Sequence, residues 1–519
     1  MTPRILPFGD RALLLEVDTL DAVLDLHGRL LASTPAGLID LVPAARTVLV
    51  HVDPAVLPLA AARAWVDAAV AAPREAEAGS QAAIVELPIV YDGADLAETA
   101  GLLGLTAGEL IARHAAAAWT VAFTGFAPGF GYLVSADWPF DVPRRASPRT
   151  RVPAGAVGLA GEFSGAYPRD TPGGWQLIGT TPAPLFDPAS DPPALLTPGT
   201  RVRFRPAPAP RSAPVSAGGS GAAMPAEVSG APALRVREPG LLATVQDQGR
   251  MGNAAAGIAV SGAADRAALR TAHRLVGNAE RAAGIEITMG GFRAVAETDL
   301  WFAVTGAWGP VRLDGRDVDP YAAHAWRAGT ELHIDWFTHG ARGYLAVRGG
   351  LAAPSFIASQ ATDTLSGWGP ARLQPGDVLR SDGQAVAAIP IEHLHPWGPP
   401  DDAVVEVALA PGPRTDWFTP AAQAGLFESV WTVTPHADRV GIRLDGPDLP
   451  RARGGELASE GMLPGALQVP PSGRPVILGP DGPVTGGYPV IAVVTDDGRD
   501  ALAQVRPGTQ LRFRHARVP

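Results

Sequence analysis

Basic side chains are concentrated in one short stretch of the first half of the chain, just before a glycine-rich segment. Guanidinium groups donate paired hydrogen bonds to carboxylate and phosphate groups, and glycine-rich turns offer backbone N–H groups to the same ligands. Each arginine taken alone is better explained as solvated surface, but together they predict an anion site, with Glu162 and Tyr167 as catalytic candidates on its rim. The cluster consists of four arginines within eight residues: Arg144, Arg145, Arg149 and Arg151.

A second group of polar residues lies in the second half of the chain. Neighbouring carboxylates can transfer protons or hold Mg²⁺, which makes Asp438 and Glu460, with Glu456 close by, candidates for catalysis. Helix caps and turns are the structural alternative, and Asp265 is placed to stabilise the first turn of a helix. The candidates for binding substrate or nucleotide are Gln246, Asp247, Arg250, Arg439, Arg443 and Thr485.

Other catalytic patterns are missing from the sequence. His393 and His395 form a lone His-x-His pair on a stretch expected to be a loop, so a surface pair explains them better than a metal site. We find neither a Ser-His-Asp nucleophile motif nor a dinucleotide fingerprint. We therefore predict no metal-ligating residues.

Two residue types are absent from all 519 residues, and their absence excludes several mechanisms. Without cysteine there is no disulfide, thiolate metal ligand or cysteine nucleophile. All 42 basic side chains are arginine, so no lysine can form a Schiff base, complete a P-loop or carry covalently bound biotin. The formal charge of −10 argues against a nucleic-acid partner.

The sequence also bears on localisation. No apolar run reaches the ~18 to 20 residues that cross a bilayer, and the N-terminus lacks the basic and apolar pattern of a signal peptide. We therefore expect a cytoplasmic protein that acts on a small molecule without a membrane partner.

Apolar periodicity outlines the elements that must position these groups. Helical spacing is found at 21–31 and 58–72, and a β-branched strand at 47–52. A further helical stretch covers 95–118, where Thr106 and Glu109 have capping-box spacing. The predicted divisions are an α+β domain at 1–75, a barrel domain at 82–205, a flexible Pro/Ala/Ser/Gly linker at 206–232, and two lobes at 233–395 and 402–519, the second containing a barrel.

Three landmarks recur in the same order in both halves and predict a duplicated β unit. The landmarks are a Val-Pro turn, a Gly-x-Tyr-Pro loop and a Pro-Gly-Thr turn that enters an alternating strand. They begin at Val152, Gly165 and Pro198 in the first copy and at Val469, Gly486 and Pro507 in the second. The fold class predicted is therefore β-rich α+β, with several lobes and a β-barrel in each half.

Longer motifs resemble two known families. Segments 8–13, 123–133, 143–145 and 153–157, which include Phe-Thr-Gly-Phe-Ala-Pro-Gly-Phe-Gly-Tyr-Leu, resemble allophanate hydrolase subunit 1. Segments 244–250, 438–444, 468–470 and 485–489 resemble subunit 2. These families are the paired subunits of bacterial ATP-dependent 5-oxoprolinase, and the resemblance covers both halves apart from the linker.

The resemblance implies cyclophilin-like barrels and a role, with a separate third subunit, in opening the lactam of 5-oxoproline to glutamate. It also implies ATP and Mg²⁺ as cofactors, because phosphorylation of the lactam oxygen creates a better leaving group. The alternatives are a carboxyltransferase-like urea amidolyase or allophanate-type amide enzyme, and a regulatory protein that inhibits a sensor histidine kinase. A homo-oligomer is a further possible assembly.

Overall fold

The computed structural model describes residues 2–73, 84–208, 229–390, 398–400, 404–455 and 457–517. The first of these stretches folds into a four-stranded antiparallel sheet in the order β1-β2-β4-β3, covered by two helices. Helix α1 begins after Thr19, whose side chain accepts a hydrogen bond from the Ala22 N–H, and it buries apolar residues three and four positions apart. The elements are β1 Arg4–Pro7, β2 Ala12–Glu16, α1 Leu20–Leu31, β3 Leu38–Pro43, β4 Thr47–Val52 and α2 Leu59–Ala71.

The first barrel follows, with seven strands in the order β12-β9-β10-β7-β6-β13-β5 and a Val90–Thr180 bridge between its two ends. The helical stretch predicted at 95–118 is two helices, because Gly104 adopts a φ of +68° between them; the Thr106–Glu109 capping box is confirmed. The elements are β5 Val85–Ile89, α3 Leu96–Leu102, α4 Ala107–Ala116, β6 Trp119–Thr124, β7 Gly131–Val134, β8 Arg149–Val152, β9 Ala156–Ala160, β10 Phe163–Ala166, β11 Thr171–Gly173, β12 Gln176–Thr180 and β13 Arg201–Pro206.

Two sheets, of seven and five strands, enclose a separate core in the second half, and α5 packs on the outer face of the smaller sheet. The predicted linker lies mostly outside the described residues, but β13 ends at Pro206 and β14 begins at Ala231, so both of its ends are strand. The elements are β14 Ala231–Pro239, β15 Leu242–Gln246, α5 Arg266–Leu275, β16 Gly284–Thr288, β17 Phe292–Ala296, β18 Leu300–Trp308, β19 Val311–Leu313, β20 Arg316–Val318, β21 His324–Trp326, β22 Glu331–Ile334, β23 His339–Val347, β24 Leu351–Ala352 and β25 Val378–Ser381.

The second barrel closes the chain as a ring in the order β26-β33-β30-β31-β28-β27-β34. Its last strand, β34, runs parallel to β26 and antiparallel to β27, just as β13 runs parallel to β5 and antiparallel to β6. The elements are β26 Val404–Pro411, α6 Pro420–Glu428, β27 Val430–Val433, β28 Gly441–Asp445, β29 Glu460–Gly461, β30 Ala466–Gln468, β31 Val476–Leu478, β32 Thr485–Gly486, β33 Val490–Val494, α7 Asp496–Leu502 and β34 Gln510–His515. The predicted class, β-rich α+β with a barrel in each half, is confirmed.

The two barrels share one strand order, but two of the three repeat landmarks are not equivalent. Only the Pro-Gly-Thr turns enter corresponding strands. The Val152 turn follows β8, whereas the Val469 turn follows β30, the counterpart of β9. The Gly165 loop follows β10, whereas the Gly486 loop follows β32, the counterpart of β11. Similar turn chemistry at different corners explains the mismatch, since Gly and Pro suit many turns.

The N-terminal sheet packs on the second barrel, so the two halves of the chain interlock. The face of the sheet away from its helices shares an apolar core with residues of the second barrel, including Leu14, Leu49, Met462 and Val493. Arg11 is buried at this contact and donates to the Pro464 carbonyl at 2.9 Å. A Leu or Met side chain buried in this way contributes roughly 1.5–3 kcal/mol, so the contact fixes the relative placement of the halves.

A candidate site between the two halves

A cleft of about 340 Å³ opens where loops of the first barrel face the second half. The β6–β7 loop and Arg169 form one wall. The other wall is formed by two loops of the second half. One is the β24–β25 loop of the two-sheet lobe built from β14 to β25, called here the sandwich lobe, and the other is the β31–β32 loop. They contribute Asp363, Ser366 and Asp481. The β10–β11 loop that holds Arg169 and the β31–β32 loop that holds Asp481 are counterparts in the two barrels. The cleft therefore exists only when both halves are present.

Asp363 and Asp481 form a buried, interacting pair of carboxyls in this cleft. Burial and the neighbouring Asp481 raise the pKa of Asp363, against the lowering effect of the Ser366 hydrogen bonds. Burial alone would raise the pKa of Asp481, but Arg439 and Thr364 outweigh it and lower that pKa. Two neighbouring carboxyls with pKa values driven in opposite directions can act as proton donor and ionised partner.

The loop around Asp363 is held rigidly. Its Oδ1 accepts from the N–H groups of Leu365 and Ser366 at 2.9 and 2.8 Å, and its Oδ2 accepts from the Ser366 hydroxyl. Gln246, buried at the end of β15, donates to the Thr362 carbonyl at 3.0 Å, next to Asp363. Such local bonds from a loop to its own aspartate fix the carboxyl without using a helix or strand.

Arg439 sets the charge of Asp481. It lies fully buried on the β27–β28 loop and binds Asp481 through Nε and Nη2 at 2.9 and 3.0 Å. Its Nη1 donates to Glu286 of β16 at 2.6 Å, and its Nη2 also donates to the Gly262 carbonyl at 2.7 Å. A bidentate arginine of this kind stabilises the ionised carboxylate. Arg439 thereby connects the second barrel, the sandwich lobe and the cleft.

Arg169 supplies positive charge from the first-barrel side. Its Nη2 donates to the Leu365 carbonyl at 3.0 Å, across the boundary between the halves. Its Nε is buried and has no hydrogen-bond partner among the described residues. Burial lowers the pKa of Arg169, while Asp363 and Asp170 counteract this effect. An arginine with an unused donor beside a cleft can bind a carboxylate or phosphate ligand.

The rim of the cleft includes a residue in an unusual backbone conformation. Phe126 has a φ of +64° and its ring is partly exposed. A non-glycine residue in the left-handed region costs free energy and is concentrated at functional sites. A Cβ on the preceding Gly125 would lie 1.9 Å from Thr485 Oγ1, so only glycine allows this close approach of the two halves.

The arginine cluster predicted from the sequence lies elsewhere. Arg145 and Arg149 both pair with the buried Asp95, at 2.9 and 2.6 Å. Arg151 pairs with Asp170 at 2.6 Å on the surface, and Arg144 is exposed. These arginines stay together, but two of them share one internal carboxylate. Their anion-binding role stays a prediction.

Glu162 and Tyr167 do not lie on one rim. Glu162 is exposed in the turn before β10, whereas Tyr167 is buried after the strand, roughly 16 Å away at 3.3 Å per residue. The intervening strand separates them. The expectation that they flank one pocket is therefore wrong, although a role for either residue stays a prediction.

The second-half candidates are divided between support and surface. Asp247 accepts from Ser359 and from the N–H groups of Gly249 and Gln360, so it pins the segment before Asp363. Arg250 is buried next to it and donates to the Ala361 carbonyl. Asp438 caps an exposed Asx turn, and the Arg443 side chain is exposed. Glu460 forms a buried ion pair with Arg414, and Thr485 contacts Gly125.

Sequence reasoning missed Asp363, Asp481 and Ser366 and did not connect Arg169 with them. Asp363 is preceded and followed by threonine, and Asp481 lies in a Gly-Pro-Asp-Gly turn, which is typical of ordinary loops. The only available signal was the short polar stretch Thr362–Ser366. Glu456, His393 and His395 lie outside the described residues. Within the described ranges no group of three metal-binding side chains occurs, and none of the helices there could cross a membrane.

Comparison with known families now gives this arrangement a context. Residues 256–515 match the sequence model described as carboxyltransferase domain, subdomain A and B. Residues 3–196 match the one described as carboxyltransferase domain, subdomain C and D. Together the two matched segments include every residue that lines the cleft.

Individual proteins are similar to each half and to the whole. The second half is 38% identical to the C subunit of 5-oxoprolinase from Escherichia coli K12 over 286 residues, which is 54% of this chain and 90% of that protein. The first half is 51% identical to the B subunit of 5-oxoprolinase from E. coli O157:H7 over 125 residues, 24% of this chain and 57% of that protein. The crystal structure of TTHA0988 is 36% identical, with a TM-score of 0.86, and covers 97% of this chain and 99% of that one.

Proposed function

The chain belongs to the carboxyltransferase-domain family as a fused homologue of the B and C subunits of 5-oxoprolinase, and on this basis we propose that it is a component of an ATP-dependent 5-oxoprolinase. The observation that carries the proposal is the cleft itself. Its proton-donor candidate, Asp363, comes from the half that is similar to the C subunit, and its spare cation, Arg169, comes from the half that is similar to the B subunit. The substrate is the lactam of 5-oxoproline and the product is glutamate.

Three residues of the cleft have roles in the proposed reaction. Arg169 binds the substrate carboxylate through its unused Nε donor. Hydrolysis breaks the bond between the lactam carbonyl carbon and the ring nitrogen, and the oxygen of water bonds to the carbon. Asp363 donates its proton to the departing nitrogen and then recovers a proton from the water that has added to the carbon, while Asp481 stays ionised beside Arg439. The pair holds one proton before and after the reaction, which agrees with the opposite directions of the two pKa values.

The cofactors implied by the resemblance fit this cleft poorly. Asp481 accepts hydrogen bonds from Arg439 and Thr364, and Asp363 accepts them from its own loop. Neither of these two carboxyls is therefore free to bind Mg²⁺. Among the described residues that line the cleft, Arg169 is the one cationic side chain and it lies beside two aspartates, which suits a single carboxylate better than the phosphate chain of a nucleotide. ATP, when bound, would activate the lactam oxygen by phosphorylation with release of ADP, and the phosphate would leave as inorganic phosphate once water has added to the carbon.

A separate third subunit completes the proposed enzyme, since the relatives are themselves named as subunits. The test is ADP release that depends on 5-oxoproline, measured with this chain, the candidate partner, and both together. We expect activity only in the mixture, and a loss of about 10²- to 10⁴-fold in kcat when Asp363→Asn replaces the wild-type chain. Asp187→Asn is the control, because Asp187 also caps a loop N–H but is exposed and does not line the cleft.

The carboxyltransferase description of the matching family favours one alternative. A urea amidolyase-like chain would instead transfer a carboxyl group from carboxyl-biotin carried by another protein. Activity with urea and carboxyl-biotin, but none with 5-oxoproline, would replace our proposal by this one. Inactivity in both assays combined with tight binding to a sensor histidine kinase would support the regulatory alternative.

A further inference from the structure

A second cavity, of about 450 Å³, lies at the end of the second barrel and is called here the barrel-mouth pocket. Three arginines line it from three elements: Arg342 of β23, Arg439 of the β27–β28 loop and Arg499 of α7. The β31–β32 loop separates this pocket from the cleft, and Arg439 contacts both. The rest of the wall consists of apolar side chains such as Leu478 and Leu502, together with Asp438, whose Oδ1 accepts from the N–H groups of Val440 and Gly441.

The three arginines differ in how fully their donors are used. Arg342 donates through Nη1 to the Ala503 carbonyl at 2.5 Å, but its Nε is buried, lies 3.6 Å from Glu286 and has no hydrogen-bond partner among the described residues. Arg499 donates through Nη1 to Asp496 at 2.9 Å. Arg439 is fixed by Glu286 and Asp481, whose carboxylates neutralise its charge, so Arg342 and Arg499 are the arginines available to a ligand. A buried donor without a partner is costly unless a ligand or water satisfies it.

The surroundings of Arg499 concentrate positive charge. Arg11 and Arg266 approach the same Asp496, at 3.0 and 3.2 Å. Burial and these two neighbouring arginines lower the pKa of Arg499 to about 9, and Asp496 offsets only part of their effect. An anion in the pocket would reverse this crowding of like charges.

Backbone and side-chain choices keep the pocket open. Gly465 has a φ of +90°, and a Cβ there would come within 3.2 Å of both Arg11 Nη2 and Arg499 Cδ. The Leu478 carbonyl accepts from the Gly465 N–H, as the Tyr167 carbonyl accepts from Gly155 in the first barrel. The first barrel thus has an aromatic ring where the second has a smaller leucine. The open, basic pocket is a property of the second barrel.

We propose that the barrel-mouth pocket binds a phosphate group. A carboxylate presents two oxygens in one plane, whereas the oxygens of a phosphate are arranged tetrahedrally and can accept from arginines on different sides. The proposed function suggests two sources, the phosphate chain of a nucleotide and free inorganic phosphate. The inference rests on that function only for the choice between sources.

Calorimetric titration of the full chain with inorganic phosphate tests the proposal without any activity measurement. We expect saturable binding with one site, and Arg499→Gln or Arg342→Gln should weaken it by about 10- to 100-fold. Arg512→Gln is the matched control, because Arg512 is an exposed arginine of the same barrel outside the pocket, and it should bind like the wild type. Gly465→Ala should also weaken binding although it removes no charge.

Competition experiments distinguish the sources and the outcomes. Displacement of phosphate by ATP assigns the pocket to a nucleotide, and retention of phosphate in excess ATP assigns it to the free ion. Displacement by 5-oxoproline or glutamate would make it a carboxylate site and overturn the proposal. No phosphate binding, or equal loss in Arg512→Gln and Arg499→Gln, would overturn it as well. If Arg342→Gln fails to fold, Arg499→Gln decides. Loss of 5-oxoproline activity with phosphate binding intact would count against the proposed function alone.

Discussion

Arg149 and Glu460 occupy equivalent positions in the two barrels and form ion pairs of opposite polarity. Arg149 pairs with Asp95 at 2.6 Å, and Glu460 accepts from Arg414 Nε at 2.9 Å. In both barrels the pair ties a short outer strand to the loop after the first strand. The duplicated unit has kept the ion pair and exchanged its charges.

Backbone contacts establish this equivalence. Arg149 lies opposite Gly173 and Glu460 opposite Gly486 in the short two-stranded sheets. The N–H of Asp95 donates to the Leu177 carbonyl, and the N–H of Arg414 donates to the Val490 carbonyl. Leu177 and Val490 lie in the corresponding strands β12 and β33. The correspondence therefore includes both partners of each pair.

Arg145→Ala distinguishes a structural arginine from a ligand-binding one. Because Arg145 shares Asp95 with Arg149 and is partly exposed, we expect the free energy of unfolding to fall by about 1–2 kcal/mol in urea denaturation. Arg151→Ala, whose side chain is 72% exposed beside Asp170, should cost under ~1 kcal/mol. Weaker binding of ATP or 5-oxoproline at unchanged stability would instead support the anion site predicted from the sequence.

Arg414→Met breaks the equivalent pair in the second barrel, where both partners are buried. Arg414 also binds Glu16 of the N-terminal sheet at 2.6 Å, so its loss leaves a buried carboxylate uncompensated. We expect a loss of about 3–5 kcal/mol in the free energy of unfolding. Arg4→Met, a more exposed arginine beside the same Glu16, should cost about 0–1 kcal/mol. A double variant, Arg414→Met with Glu460→Leu, should recover part of the loss. Equal losses of unfolding free energy in Arg414→Met and Arg4→Met would contradict this account.

Activity should fall on the alkaline side because the acid form of Asp363 is the working form. Burial and Asp481 raise the pKa of Asp363, so the proton needed by the departing nitrogen is lost only as pH rises through that raised value. The pH profile of kcat, measured with the complete enzyme, should show this alkaline limb. The limb should persist in Asp187→Asn. A profile that is flat above the ordinary aspartate pKa would remove Asp363 from the mechanism.

Gly125→Ala should push the two halves apart at the cleft. Its Cβ would lie 1.9 Å from Thr485 Oγ1, closer than any real contact. We expect a lower melting temperature for Gly125→Ala, little change for Thr485→Ala, and a double variant that is less damaged than the sum of the two. Strict additivity in a double-mutant cycle would show that the two residues do not meet.

Asp496 should contribute to the pH dependence of stability. Burial would raise its pKa, but Arg11, Arg499 and Arg266 outweigh burial and lower it to about 2. A carboxyl with a lower pKa in the folded state stabilises the fold above its ordinary pKa, and this contribution disappears as pH falls toward 2. Between pH 2 and pH 5 the free energy of unfolding should therefore depend more steeply on pH in the wild type than in Asp496→Asn. Parallel curves would exclude the contribution.

Local chemistry determined the parts of this protein that the sequence predicts well. The Thr106–Glu109 capping box, the helix after Thr19 and the Pro-Gly-Thr turns each depend on residues a few positions apart. The recurrence of turn signals was enough to predict a barrel in each half. It was not enough to align the copies, because Val-Pro and Gly-x-Tyr-Pro suit different corners of the same barrel equally well.

Tertiary structure alone decided which charged groups meet. Residue types state which bonds Arg149 or Asp481 can make, but strand pairing between distant segments selects Asp95 for the first and Arg439 for the second. The cleft combines loops from both barrels and the sandwich lobe, and no spacing along the chain links Arg169 to Asp363. Burial, which sets the pKa values of these groups, is likewise a property of the assembled lobes and not of any local stretch of sequence.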